Sequence, residues 1–310
     1  MTRFLLRRLL RALFTLWVVA SFAFIILRLT GDPVRSLLPD NATAEIVAAY
    51  KEKWGLDQSL PEQYLRYLAG LAQGDFGRSF RDDRPALETV AERVPKTLQL
   101  TGAAFLLVLG IGIPAGVAAA LARDTALDRV VMTAAVAAHA LPSFLLGLLL
   151  MLVFAVTFRL LPSSGSATWA HMILPAVTLG TTGAAVIARF TRAAVLEVLE
   201  QPYIRAARAA GHPMGSVIRR DVLPNAAIPL LTILGFAIGG LIGGSIITET
   251  VFAWPGIGRL LASAVAGRDL AVVQCIVLLL AATMVAANLV VDLLYAWLNP
   301  RIRVPAAEGG

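Results

Sequence analysis

"YIRAARAAGHPMGSVIRRDVLPNA", residues 203–226, stands between two long apolar runs. Pro202 suits the first turn of a helix, and the alanine-rich residues after it continue that helix for about two turns. Gly211 suits the left-handed position that follows a helix, and Pro213 prevents continuation. A short helix is therefore set off by its own stop signals. Ala206, Ala207, Ala209 and Ala210 keep it narrow, so a facing groove can come close, while Arg205 and Arg208 line one side three residues apart. A plain basic loop would account for the arginines but not for the paired stops or the alanine face. The stretch is predicted to be a peg that fits a socket.

The surroundings decide where such a peg can stand. Of 310 residues, 58% are hydrophobic and only 15% charged, with a mean hydropathy of +0.75, which excludes an ordinary soluble domain. Six apolar runs have the length a bilayer needs: 9–29, 99–121, 131–158, 172–190, 226–248 and 271–297. Each must be helical, because a span in lipid has to satisfy its own backbone N–H and C=O groups. The first run follows the basic "MTRFLLRRLLRALF", as in a secretory signal, but it is long and no small-x-small cleavage site follows it. Residues 1–30 are therefore read as a retained transmembrane anchor. The net charge of +7 does not point to nucleic acid, since the 24 Arg and 3 Lys sit mostly at the ends of apolar runs. Cys275 is the only cysteine, and His139, His171 and His212 lack ligand spacing, so no metal site is expected.

Arginine placement sets the expected orientation. Arg3, Arg7, Arg8 and Arg11 precede the first run, Arg123 and Arg129 follow the second, Arg205, Arg208, Arg219 and Arg220 follow the fourth, and Arg301 and Arg303 follow the last. The opposite short loops hold only Arg159, Arg259 and Arg268. Both termini and the peg are thus expected on the cytoplasmic side, and the long segment 31–98 outside. That segment is a helical insertion rather than filler. "DNATAEIVAAYKEKWG" places Ile46, Val47 and Tyr50 at helical spacing before a stop at Gly55. "SLPEQYLRYLAGLAQGDFG" opens with Ser59 and Glu62 in capping-box spacing and aligns Tyr64, Tyr67, Leu68 and Leu71. Interfacial loop and docking or gating element both fit it. The fold class expected is an all-α polytopic membrane protein, with about six transmembrane helices, a helical insertion on the outer side after the first and a short cytoplasmic helix between the fourth and fifth.

The spans hold almost no ionisable residue near mid-membrane, which counts against an ion-coupled secondary transporter. Asp292, one turn after Asn288, lies towards the inner end of the last run and is expected to pair with an inner-loop arginine. Gly235, Gly239 and Gly243 stand in small-xxx-small register, with Gly240 and Gly244 beside them. Such a face packs tightly within the chain or against a partner helix beside a pathway. Ser143 and His139 lie one turn apart but lack the oxyanion donors that acyl transfer requires, so a membrane protease is not indicated.

With these residues in view, the quoted stretch resembles the cytoplasmic Glu-Ala-Ala loop of ABC importer permeases, matched here by Ala206, Ala207, Gly211, Leu223 and Pro224. Arg205 stands where the general motif has Glu, and Asp221 where it has Ile, but "YIRAARAAG" is similar to the form in the dipeptide, oligopeptide and nickel branch. "GDP" at 31–33, "QYLRYLAGLAQGDFGRSF" at 63–80, "TETVFAWPGIGRLL" at 248–261 and "NLVVDLLYAWLNPRIR" at 288–303 resemble the first permease of the pair in that branch.

The resemblance implies a permease core over 99–304 with its coupling loop at 196–224, and a cytoplasmic tail at 305–310. It assigns ATPase coupling to Tyr203, Arg205, Ala206, Ala207, Arg208, Ala210, Gly211, Leu223 and Pro224. It gives periplasmic docking or gating to Gly74, Asp75, Glu249, Trp254, Pro255 and Gly256. The implied partners are a homologous second permease, two ABC ATPase subunits and a periplasmic or lipid-anchored binding protein, with membrane lipid around them and no nucleic acid. The implied cargo is a di- or oligopeptide, with nickel chelates, glutathione or oligosaccharides as alternatives. No G-x-x-x-x-G-K-[ST] occurs, and the only lysines, Lys51, Lys53 and Lys96, lie in the outer segment, so ATP and Mg are expected on the partner subunits and no cofactor on this chain.

Overall fold

The computed structural model describes residues 2–29, 34, 38 and 42–298; at 2–5, 7, 27, 29, 228, 232 and 291–298 it describes the backbone alone. The "GDP" at 31–33, the side chain of Asp292 and the chain after 298, with Arg301, Arg303 and the tail, lie outside the described residues. The regular secondary structure among those residues is helical, apart from one isolated antiparallel bridge, Arg78 to Pro85.

In chain order the helices are α1 (Thr2–Leu29), α2 (Ala44–Lys53), α3 (Leu60–Ala72), α4 (Ala86–Ala91), α5 (Val94–Leu107), α6 (Ile113–Leu121), α7 (Ala126–Ala140), α8 (Ser143–Leu150), α9 (Ala170–Leu199), α10 (Pro202–Ala209), α11 (Met214–Val217), α12 (Leu223–Val251), α13 (Ile257–Ala266) and α14 (Leu270–Leu298). Three π-helical stretches interrupt them. Val108–Gly112 joins α5 to α6, Met151–Thr157 extends α8, and Ile218–Val222 leads into α12. Two of these stretches end just ahead of Pro114 and Pro224, where a missing N–H already breaks the regular hydrogen-bond ladder.

By length and composition, five helical runs can cross a membrane, and a bent pair supplies a sixth. The expected third span, 131–158, is not one straight helix. Its two halves, Ala126–Ala140 and Ser143–Thr157, meet at 102°. Pro142 causes the break, because its ring drives the preceding residue out of the helical region: Leu141 takes φ −77° and ψ 126°.

The chain divides into two compact units, Met1–Thr97 with Pro255–Val285, and Leu98–Trp254 with Ala286–Gly310. The first unit is built on Ala86, Val90, Ile257, Ala264, Val272 and Ile276. The capping box forms as expected: the Glu62 carboxylate accepts from the Ser59 N–H at 3.1 Å and from its hydroxyl at 2.8 Å, which holds the Glu62 carboxyl below its ordinary range. The expected stop at Gly55 is also made, at φ +63°. The aromatic face of α3 packs on α1, with Phe24 edge-on to Tyr64 at 5.3 Å and stacked on Tyr67 at 5.5 Å.

The second unit is arranged around α9, which touches α6, α7, α8 and α12. One core gathers Leu100, Ala104, Val108, Leu179, Ile187 and Trp254. Another gathers Val195, Ile204, Val217, Val222, Ala226 and Leu230 around the peg.

Candidate functional site: a coupling peg and a glycine-faced cleft

The peg folds as its sequence dictates. Gln201 caps α10 in an extended conformation and Pro202 opens the helix. At the other end Gly211 adopts φ +81°, its N–H donates to the Arg208 carbonyl at 3.0 Å, and the His212 N–H donates to the Ala207 carbonyl at 3.3 Å. That pair of bonds is a Schellman stop, and it ties the exit of the helix to its last turn. Tyr203, Arg205, Ala206, Arg208, Ala209 and Ala210 all face outward. The alanine face is only partly free, because Ala207 packs against the core around Ile204.

Ile204 itself is 0% exposed and was not singled out from sequence. Burying one aliphatic side chain of this size contributes roughly 1.5–3 kcal/mol, enough to hold a short helix that could not persist alone. Its partners Val195, Val217, Val222 and Ala226 come from the end of α9, from α11, from the π-helical stretch and from the start of α12. The exposed face of α10 is thereby tied to the ends of α9 and α12. Leu223 and Pro224 stand exposed at the head of α12, and the Asn225 amide caps the Asp221 carbonyl at 2.6 Å.

A charged clamp lies in the same unit. Arg192 on α9 donates to both carboxylate oxygens of Asp128, at 2.6 and 2.7 Å, and Asp128 also accepts from the Asp124 N–H at 3.1 Å. This two-pronged bond fixes the first turn of α7 to α9. No local pattern in the sequence announces a pair 64 residues apart.

The glycine face of α12 divides by role. Gly235 is buried and Gly239 half-buried. A β-carbon on Gly244 would touch Leu179 at 3.0 Å, whereas one on Gly240 or Gly243 would meet nothing within 4 Å. Gly240 borders an apolar cleft of about 430 Å³, lined also by Ser143, Thr182, Val186, Phe190, Phe236 and Gly244 among others. The Thr182 hydroxyl in its wall has no hydrogen-bond partner among the described residues. A closer helix approach lies elsewhere. β-Carbons on Gly112 and Gly116 would collide with the Ala184 and Ala188 carbonyls of α9 at 2.9 and 2.4 Å. Sequence reading passed over these glycines although they too stand in small-xxx-small register.

The residues expected at docking or gating fall in both units. In the first, Gly74 and Asp75 are exposed, but both also build a helix stop: Gly74 takes φ +78°, and the Asp75 N–H donates to Gly70 at 2.9 Å. Pro255 is half-buried and Gly256 buried. In the second unit Glu249 and Trp254 are 0% and 2% exposed. Their backbones close a further Schellman stop, Trp254 N–H to the Glu249 carbonyl at 2.8 Å, around Ala253 at φ +50°. Gly74 and Asp75 are thus the exposed members of this set, with Pro255 partly so.

The family described as "Binding-protein-dependent transport system inner membrane component" matches residues 112–304, and its N-terminal companion family matches residues 1–101. The chain is 43% identical over 304 residues to the glutathione transport system permease protein GsiC of Salmonella paratyphi A, covering 98% of this chain and 99% of that one. It is 42% identical over the same span to GsiC of Escherichia coli K12. Among solved structures, an inward-facing MetNI methionine ABC transporter aligns with TM-score 0.60 and 22% identity over 68% of this chain and 96% of the other, a likeness of fold.

Proposed function

The chain belongs to the binding-protein-dependent transport system inner membrane components, as an ABC importer permease of the peptide and glutathione branch, and we propose that its cargo is a short peptide, with glutathione the first compound to test. The observation that carries this reading is the end-to-end identity to the glutathione permeases. Glutathione is itself a tripeptide, so the peptide expectation and the relatives agree on chemical class.

In this reading the protein supplies half of a pathway. A second permease closes the open glycine face at Gly240 and Gly243, and a binding protein delivers cargo to the outer side, where Gly74 and Asp75 present surface. Two ATPase subunits bind ATP and Mg, and one of them seats the exposed face of α10 in a groove. Movement of that groove pushes Tyr203, Arg205, Ala206 and Arg208, and buried Ile204 passes the displacement to α9 and α12. Both termini and the peg lie on the cytoplasmic side.

Uptake by the complete importer tests the cargo. Cells lacking other peptide importers, expressing this permease with its neighbouring subunits, should accumulate labelled glutathione or a dipeptide when ATP is present, whatever the proton gradient. Uptake confined to a nickel chelate or an oligosaccharide would refute a peptide cargo. Uptake that follows the proton gradient would refute the ATP-driven partnership.

A further inference from the structure

A second cleft lies in the first unit. It encloses about 360 Å³ where the end of α1, α3, the 75–83 loop and the start of α14 meet. Three of its lining side chains carry buried polar atoms with no partner among the described residues: Arg28 Nη1, the Tyr67 hydroxyl and Gln274 Nε2. Gln274 is only 6% exposed. Arg28 is held in place by its other groups, since its Nε donates to Gln63 Oε1 at 2.6 Å and its guanidinium lies 4.3 Å over the Phe24 ring. Burial pushes the Tyr67 phenol up to about 12, so it stays protonated and able to donate. Buried donors left unmatched are costly, and native folds rarely keep three in one cleft.

The missing partner is therefore an acceptor, and the charge balance makes it an anion. The wall holds Arg28, Lys53, Arg66 and Arg78 against Asp75 and Asp83. Asp83 is already bridged by Lys53 at 3.3 Å and by Arg78 at 3.4 Å, and Asp75 accepts from the Gly77 N–H at 2.8 Å. Four cations against two carboxylates leave the wall with two positive charges in excess.

Depth identifies the source. Arg28 follows the apolar window Arg8–Ile26, and Gln274 lies just inside the window Leu270–Val290. The cleft thus stands at the level of lipid headgroups, and α1 below it exposes Phe22, Ile25 and Ile26 as a surface for acyl chains.

We propose that this cleft binds the phosphate of a glycerophospholipid, with Arg28, Tyr67 and Gln274 as its donors. A phosphate offers enough acceptor oxygens for three donors on the wall of one cleft, and a guanidinium fork fits it well. The site would anchor the outer helical segment to the membrane surface.

The test uses the assembled importer, purified and stripped of lipid. Added phosphatidylglycerol or phosphatidylethanolamine should raise its melting temperature, whereas diacylglycerol and inorganic phosphate should not. Tyr67→Phe and Gln274→Leu should each weaken phospholipid retention, read by native mass spectrometry, by about tenfold, the loss of one hydrogen bond to a charged group. Without lipid, both variants should melt at or above the wild-type temperature, because an unmatched donor has been removed. Wild-type lipid retention in both variants would overturn the site. Equal stabilisation by inorganic phosphate would make it a site for a free anion, and a lower lipid-free melting temperature would show that the donors are paired within the chain; either result refutes the proposal.

Discussion

Gly116 and Ala188 approach so closely that a β-carbon on the glycine would stand 2.4 Å from the Ala188 carbonyl oxygen, and 2.6 Å from Thr191 Cβ. The carbonyl belongs to the backbone of α9 and cannot swing aside. Gly116→Ala must therefore push α6 off α9, at about 1–3 kcal/mol. Gly102→Ala is the control, since a β-carbon there meets nothing within 4 Å and alanine favours the helix. Thermal unfolding of the purified permease should show Gly116→Ala melting lower and Gly102→Ala melting at or above wild type. Equal melting temperatures for the two would mean that α6 and α9 are not in contact.

Local chemistry was legible where the chain decides its conformation within a few residues. Pro202, Gly211 and Pro213 bounded α10 correctly, and Ser59 with Glu62 marked the start of α3. What pairs across long separations was not. The sequence hid that Ala207 turns inward and that Ile204 is its anchor, because Ala206, Ala207, Ala209 and Ala210 are alike as residues and only packing separates the one that meets the core. Two glycine registers were present, and only three-dimensional packing tells that 112 and 116 meet α9 while 240 and 243 stay open. The helix stop at Ala253, with φ +50°, carries no glycine at its left-handed position to announce it.

Asp269 should matter more than its position beside a helix start suggests. It is buried and accepts from the Ser79 hydroxyl, from the Phe80 N–H at 3.3 Å and from the Val272 N–H at 3.4 Å. It thus caps α14 and staples the 79–80 loop to it. Ser79→Ala removes one of these bonds, about 1 kcal/mol, whereas Asp269→Ala strands two backbone donors as well and should cost roughly 2–4 kcal/mol. Protease susceptibility of the 75–83 loop is the readout, and cleavage should rise more in Asp269→Ala. Equal resistance in all three proteins would show that the staple is not formed.

Orientation can be read by labelling, because the native Cys275 is buried and gives little background. Asp57 and Gly215 are both exposed, and a β-carbon at Gly215 meets nothing within 4 Å. Asp57→Cys should react with a membrane-impermeant maleimide from the outer face of the inner membrane, and Gly215→Cys only after that membrane is opened. The reverse pattern would place the peg outside and end the coupling proposal.

If α10 carries force, its stop and its exposed face must matter for transport while mattering little for folding. Gly211→Val attacks the stop alone: no atom crowds the site, so the cost is the strain of a β-branched residue at positive φ, roughly 1–2 kcal/mol. Gly211→Asn, which tolerates that conformation, should behave almost as wild type. Ala206→Glu attacks the face by adding bulk and an acid where Ala206 is exposed. Ala207→Glu is a poorer probe, since Ala207 packs on the Ile204 core and its loss would confuse folding with coupling. In the assembled importer, Gly211→Val and Ala206→Glu should insert and accumulate normally, yet lose most cargo-stimulated ATP hydrolysis and uptake. The ATPase subunits should copurify less with Ala206→Glu than with Gly211→Val, because the first blocks seating and the second only loosens the link to α12. Normal uptake by both variants would leave residues 203–211 as a positively charged loop with no part in coupling.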